Sequence, residues 1–454
     1  MSFAETVDGF FADFFRHYPV HATNAGNHSH DHAWPDLSAA GTARRLAWLA
    51  AVRTTLDEAN TASRDEEIDR QVLLREIDAM RFDEHDLDEA SWSPIVYSYL
   101  LGGGLFALLS REFAPADERL ASAAGRMEAL PAVLTAARDN LMSGRGRAVS
   151  GFHVEKAIVT MPGVADLCRS AVEMADDADP SVRDRVRAAA EPAIASVDAF
   201  VAWLRDDVLP TADGDFRLRP ELYARKFHHA LKATISPAEL EARAAAAYDQ
   251  VRAEMARIAR DLWPSRFGDE PVPGDPDALT RRVLDAIAQD HPEAEDLLEF
   301  CRAEHERIEA FIREQNLIGL ADEPLQIIWT PPFLRAFGGA MLIPPGPLDR
   351  GLDSFFAITP PPPDWTDEQV RSMLREDNDR SLRILTIHEA VPGHYLQLAW
   401  SNRCDSLPRA VFGSGVFAEG WAVYVTQVMM DVGYGADDPA LMLAHWKYFL
   451  RSIT

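Results

Sequence analysis

Two short stretches of this chain carry residue types that could do chemistry together. Thr386-Ile-His-Glu-Ala-Val-Pro-Gly-His-Tyr-Leu-Gln397 supplies two imidazoles, His388 and His394, with an acid, Glu389, directly after the first. Phe417-Ala-Glu-Gly-Trp-Ala-Val-Tyr424 supplies a second acid, Glu419, twenty-five residues past His394. Two histidines and a carboxylate are enough to hold a zinc ion with one position left open. Glu389 beside the first ligand could then take a proton from an activated water, which is the inventory of a hydrolytic centre.

The spacing departs from the usual His-Glu-x-x-His arrangement, in which histidines four apart lie one turn from each other on one helix face. Here they are six apart. Six residues of helix rotate the second imidazole by about 600°, which leaves it roughly 120° from the first and about 9 Å further along the axis. A straight helix could not aim both at one ion. Pro392 and Gly393 lie between them; proline removes a backbone donor and glycine accepts conformations that other residues avoid. The pattern therefore predicts a helix that carries His388 and Glu389, ends near Val391, and is followed by a corner that swings His394 back.

The surroundings support a buried site. Leu382, Ile384, Leu385 and Ile387 precede the first motif, Leu396, Leu398 and Ala399 follow it, and Glu419 also sits inside an apolar run. An unpartnered acid in such a place is costly, and a shared cation offsets that cost. Both acids are accordingly expected to be buried.

Taken together, His388-Glu-Ala-Val-Pro-Gly-His-Tyr-Leu-Gln397 and Phe417-Ala-Glu-Gly-Trp-Ala-Val-Tyr424 resemble the bacterial "domain of unknown function 885" family, regarded as candidate zinc metallopeptidases of the glutamate-zincin type. Pro19-Val-His-Ala-Thr-Asn-Ala-Gly26 and His30-Asp31 look like the family's opening. The resemblance implies a mainly α, multi-helix fold around a cleft, similar to the larger helical metallocarboxypeptidases and oligopeptidases, with His388, His394 and Glu419 as metal ligands and Glu389 as base. It also implies a further helical stretch after the second motif. The segment from Ala440 to Thr454 reads as an amphipathic helix without a stop signal, so the chain is expected to be truncated at its C-terminus.

The elements that must position these residues can be read in outline. Phe3, Val7, Phe10, Phe11, Phe14 and Phe15 recur at helical spacing and end before Pro19. Long helices are expected over Thr42 to Ala59, Glu66 to Phe82, Pro115 to Arg145 and Pro237 to Leu262, the last opened by a capping box from Ser236 and Glu239. The glycines at 102–104 sit in an apolar run and read as close helix packing, because the lysine and hydroxyl ending of a phosphate loop is missing. His28, His30 and His32 match no metal template and read as capping or surface groups.

Between Leu320 and Pro363 three β-type runs appear, Leu325 to Thr330, Ala340 to Ile343 and Ser354 to Thr359, bounded by prolines that include Pro331-Pro332. They predict a small antiparallel β-sheet before the active-site helix, where an extended peptide could be held by its backbone. One long helix, capped by Thr366, is expected to run from there to the motif. Residues 1–319 form the helical wall of the cleft in this reading, residues 320–454 the sheet and metal-site helices, and the two make one continuous catalytic unit.

Composition excludes several function classes. The net charge is -27, which argues against nucleic acid or an anionic membrane as partner, since both need basic patches. No apolar run approaches the about 18 residues needed to span a bilayer. The first residues carry acids where a secretory signal carries bases, and Cys168, Cys301 and Cys404 are scattered and odd in number. A cytoplasmic location is expected. The substrate expected is a peptide or small amide; oligomeric state is not readable. Tyr395, Tyr424 and His445 are candidate donors to a developing oxyanion, Gln397 a residue that could orient a ligand, and Arg335 and Lys226 possible receivers of a carboxylate. A metal-dependent lyase and a non-catalytic scaffold remain alternatives to peptide hydrolysis.

Overall fold

The structure, a computed structural model, describes all 454 residues except Met1, Pro332, Phe333, Ala336 and Phe337. Pro332, expected as a strand boundary, lies outside the described residues. The fold is mainly α with one small three-stranded sheet. Among the described residues no single helix is long and apolar enough to cross a membrane.

Contacts divide the chain into two compact units. One unit comprises Met1–Lys232 with the short returns Pro345–Leu352 and Asn402–Gly413; the other comprises Ala233–Pro344, Asp353–Ser401 and Ser414–Thr454. The helices of 233–316 therefore share a unit with the sheet and the metal-site motifs.

The first unit begins with helix Phe3–His17, whose Ser2 and Glu5 form a reciprocal capping box. Its phenylalanines are buried, as their spacing predicts: Phe10 stacks on Trp48, and Phe412 packs against Phe11 and Phe14 with ring centroids 5.7 and 5.2 Å away. The predicted helices appear as Ala39–Glu58, Arg64–Arg81 and Ala116–Leu141. Of the three glycines in helix Ile95–Ser110, only Gly104 is in close packing, where a Cβ would meet the Trp34 ring. His28 is half-buried rather than a surface group. Its two ring nitrogens lie 2.9 Å from Asp31 and 2.9 Å from Asp349, and its ring stacks on Phe113 at 3.7 Å.

In the second unit, helix Pro237–Phe267 is capped by Ser236, but only half of the expected box forms: Glu239 instead reaches forward to Arg243. Strands β1 (Leu325–Trp329), β2 (Ala340–Ile343) and β3 (Ser354–Ile358) form a sheet of order β1-β3-β2. β2 pairs antiparallel to β3 as expected, whereas β1 pairs parallel to it, so the sheet is mixed. The reason is connection length: the long stretch 330–353 acts as the crossover that parallel neighbours need. The single long helix expected before the motif is two, Asp367–Glu376 and Asp379–Glu389. Thr366 caps the first with a full capping box, and Asn378 interrupts the run by accepting the backbone amides of Arg380 and Ser381. Arg380 then ion-pairs with Asp290 and Asp438, tying the start of the second helix to neighbouring segments of its unit.

Candidate metal centre

Helix Asp379–Glu389 ends at the first motif, and the corner after it has the predicted sharpness. Ala390 leaves helical geometry, the Val391–Pro392 bond is cis, and a new helix, His394–Ser401, opens on the second histidine. Gly393 is required there. A Cβ at this position would fall on the carbonyl oxygens of His388 and Ile387. The Trp421 indole of helix Gly415–Asp431 donates to the Pro392 carbonyl at 2.9 Å, so the helix that bears Glu419 is fastened to the same corner.

The result is the juxtaposition that a straight helix forbids. The His388 and His394 rings lie 4.6 Å apart, nearly perpendicular. Their Nε2 atoms are 3.8 and 3.6 Å from Glu419 Oε2, and the ligand atoms of all three residues lie within 4.8 Å of one another. Zinc bonds of about 2.0–2.2 Å in a tetrahedron put ligand atoms roughly 3.3–3.6 Å apart, so a small contraction suits the group to an ion. Among the described residues this is the one group of three or more such side chains placed to hold an ion. Burial pushes His388 down to about 3, helped by the neighbouring His394 and Arg451, and burial also lowers His394. Both imidazoles are thus neutral, the form that offers a lone pair to a cation.

Glu419 corrects one expectation. His388, Glu389 and His394 are buried, but the Glu419 side chain is 71% exposed. Helix Gly415–Asp431 turns Val416, Phe417 and Glu419 outward while burying Ala422, Val425 and Met429, so the apolar run around Glu419 is only partly core. The exposed carboxylate and the two imidazoles open on a cavity of about 1240 Å³ within the second unit.

Glu389 lines the same cavity. Burial, opposed by a hydrogen bond from the Leu342 backbone amide and aided by the charge of Glu419, raises its carboxyl to about 7. Leu342 belongs to β2, whose hydrogen-bond pattern explains the contact. The Thr359 amide donates to the Gly339 carbonyl at 2.7 Å, and alternation along an antiparallel pair then turns the backbone groups of Ala340 and Leu342 away from β3. The outer edge of β2 therefore faces the cavity beside Glu389.

The other sequence candidates divide. Tyr424 lines the cavity. Tyr395 hydrogen-bonds the Glu323 carbonyl and packs in the core. His445 is buried against Gln427 Oε1 at 2.7 Å, and burial lowers it to about 4. Among the described residues Gln397 Oε1 and His388 Nδ1 are both buried without a hydrogen-bond partner, so Gln397 does not hold the His388 ring. Arg335 donates to the Thr330 carbonyl and Lys226 pairs with Glu89; neither lines the cavity. Two lining residues had no sequence signal. Tyr448 and Arg451 stand one turn apart on helix Pro439–Ile453, and the Tyr448 ring centroid is 5.3 Å from that of His388. Their three-residue spacing on an amphipathic helix is indistinguishable from ordinary packing.

Fold and site together define a mainly α protein with a candidate His-His-Glu metal centre in a cavity bordered by a sheet edge. The chain belongs to the family described as "Bacterial protein of unknown function (DUF885)", whose pattern matches residues 19–453. A structure from Shewanella oneidensis, described as a candidate lipoprotein of unknown function, is 30% identical with a TM-score of 0.80 and covers 100% of this chain and 82% of its own. A candidate lipoprotein from Colwellia psychrerythraea shares the fold, with 15% identity, a TM-score of 0.73, and coverage of 96% and 79%. A comparison with curated proteins finds no match.

Proposed function

We propose that the chain is a zinc-dependent hydrolase of peptide bonds, acting on short peptides. The observation that carries this reading is the cavity in which two neutral imidazoles, a carboxylate and a second, buried carboxyl near neutrality come together. His388, His394 and Glu419 would hold the ion. When bound, it would polarise a substrate carbonyl and acidify water. Glu389 accepts the proton of the attacking water at its carboxylate and passes it to the leaving amine. Its raised pKa matches that shuttle, because a group near neutrality can both take and return a proton.

The chain's own groups would orient the substrate. The backbone groups of Ala340 and the Leu342 carbonyl, turned away from β3, could pair with an extended peptide, adding a strand at the edge of β2. Gly339 leaves open space beside it. Tyr448, held neutral by burial and by the nearby charges of Glu389 and Glu419, is a hydroxyl donor available to a developing oxyanion.

Metal content of the purified chain tests this reading, measured for wild type, Glu419→Gln and His394→Ala. About one zinc per chain in the wild type, lost in both variants, is the expected result. A wild type that takes up no zinc when it is supplied would sink the hydrolase reading and favour a non-catalytic scaffold. The description of the solved relatives as candidate lipoproteins favours the cell envelope over the cytoplasm; fractionation of the source cells tests it.

A further inference from the structure

The three metal-site side chains come from two segments. Helix Asp379–Glu389 and the corner after it supply His388 and His394, and helix Gly415–Asp431 supplies Glu419. Whatever fixes one segment against the other therefore decides whether the three groups can meet at one ion. Trp421 stands two residues after Glu419 on the same helix, and its indole N–H donates to the Pro392 carbonyl at 2.9 Å, inside the corner that separates the two histidines. Pro392 is buried, and a buried carbonyl needs such a partner. The tolerance at the site is narrow: Glu419 Oε2 lies 3.8 and 3.6 Å from the two Nε2 atoms, against the roughly 3.3–3.6 Å between ligands of a tetrahedral zinc ion. A side-chain tip about 6 Å from a helix axis moves by about 1 Å when the helix rolls by about 10°. Such a roll would carry the carboxylate out of reach of an ion held by the histidines. Glu419 and Trp421 leave the helix about 200° apart around its axis, so a bond from Trp421 to the corner resists that roll.

We propose that Trp421 is a positioning residue of the metal centre: through the Pro392 carbonyl it sets the roll of helix Gly415–Asp431 and so brings Glu419 within bonding range of an ion held by His388 and His394. This rests on the metal-centre reading of the same cavity and adds to it the group that sets how tightly zinc is held. Trp421 lies outside the cavity lining and supplies neither a ligand nor a proton. It acts through Glu419.

The test is the zinc affinity of the full chain, measured by competition with a chromophoric chelator, for wild type, Trp421→Phe and Trp421→His. Phenylalanine keeps an aromatic ring but loses the N–H, whereas histidine keeps a ring N–H. Trp421→Phe is expected to bind zinc about 10- to 100-fold more weakly, the usual loss when a group that orients a ligand is removed, and Trp421→His to recover part of that loss. The visible spectrum of the cobalt-loaded protein should change in Trp421→Phe, because it follows the geometry of the ligands, while the metal-free variant should melt within about 5 °C of metal-free wild type. Equal zinc affinity and an unchanged cobalt spectrum in Trp421→Phe overturn the proposal and leave the metal centre standing. Metal-free variants that both melt more than about 10 °C below wild type also overturn it, since the indole would then serve the fold and not the metal. A wild type that binds no zinc overturns the metal-centre reading together with the proposal.

Discussion

Gly393 lies directly against the carbonyl oxygens of His388 and Ile387, so the chain folds back onto the end of the helix that carries its first histidine. No side chain fits between them. Gly393→Ala should therefore displace His394 and destabilise the protein by about 2 kcal/mol or more, within the range for backbone clashes. Thermal melting checks this. Gly420→Ala is the control: it also neighbours a motif residue, but a Cβ there meets nothing. Replacing a helical glycine in open space should stabilise by about 0.5–1 kcal/mol. Equal losses in both variants would refute the argument.

Chelation should separate the metal from the fold. If His388, His394 and Glu419 hold zinc, free zinc at about 100 times its Kd stabilises the folded chain by ~2.7 kcal/mol. A chelator should lower the melting temperature of the wild type and leave Glu419→Gln unchanged. An identical response of the two proteins would count against these ligands.

Glu389→Gln should keep the metal and lose the activity. Glu389 opens on the cavity but is not one of the clustered ligand groups, so zinc content is expected to match wild type. The rate of peptide cleavage should fall about 10²- to 10⁴-fold, the usual contribution of a general base. Loss of zinc along with activity would make Glu389 a ligand, contrary to its assigned role.

Stability should depend on pH through His28. Burial opposes its protonation, but the hydrogen bonds and charges of Asp31 and Asp349 raise it to about 9. A histidine whose folded pKa lies above its unfolded value of about 6.5 binds the extra proton in the folded state. Its contribution is therefore complete below pH about 6.5 and is lost as pH rises through about 9. Denaturant titrations of wild type and His28→Gln should converge over that window. A difference between them that stays constant from pH 6 to 10 would show that the ring packs without charge.

Arg126 should be among the least replaceable residues of the first unit. It is fully buried, donates to the carbonyls of Ala33 and Gly104 and to Thr23 Oγ1, and lies over the Trp34 ring. Arg126→Met keeps most of the volume but strands those acceptors. A loss of about 3 kcal/mol or more is expected from chemical denaturation; a change under about 1 kcal/mol would mean that water replaces the guanidinium.

What the sequence by itself determined is what neighbouring residues decide among themselves. Capping by Ser2, Ser236 and Thr366, the apolar face of the first helix, the three strands and the break at Pro392-Gly393 all follow from interactions a few residues long. The types of the metal-site residues followed too, since their chemistry is intrinsic to the side chains. The tertiary structure decided everything that joins distant segments. It placed β3 between β1 and β2 and made the sheet mixed, left Glu419 exposed, raised Glu389, and brought Tyr448 and Arg451 to the cavity. None of these has a local signature, because each depends on which face of a helix or edge of a sheet meets a partner far along the chain, and similar periodic patterns fit several such meetings.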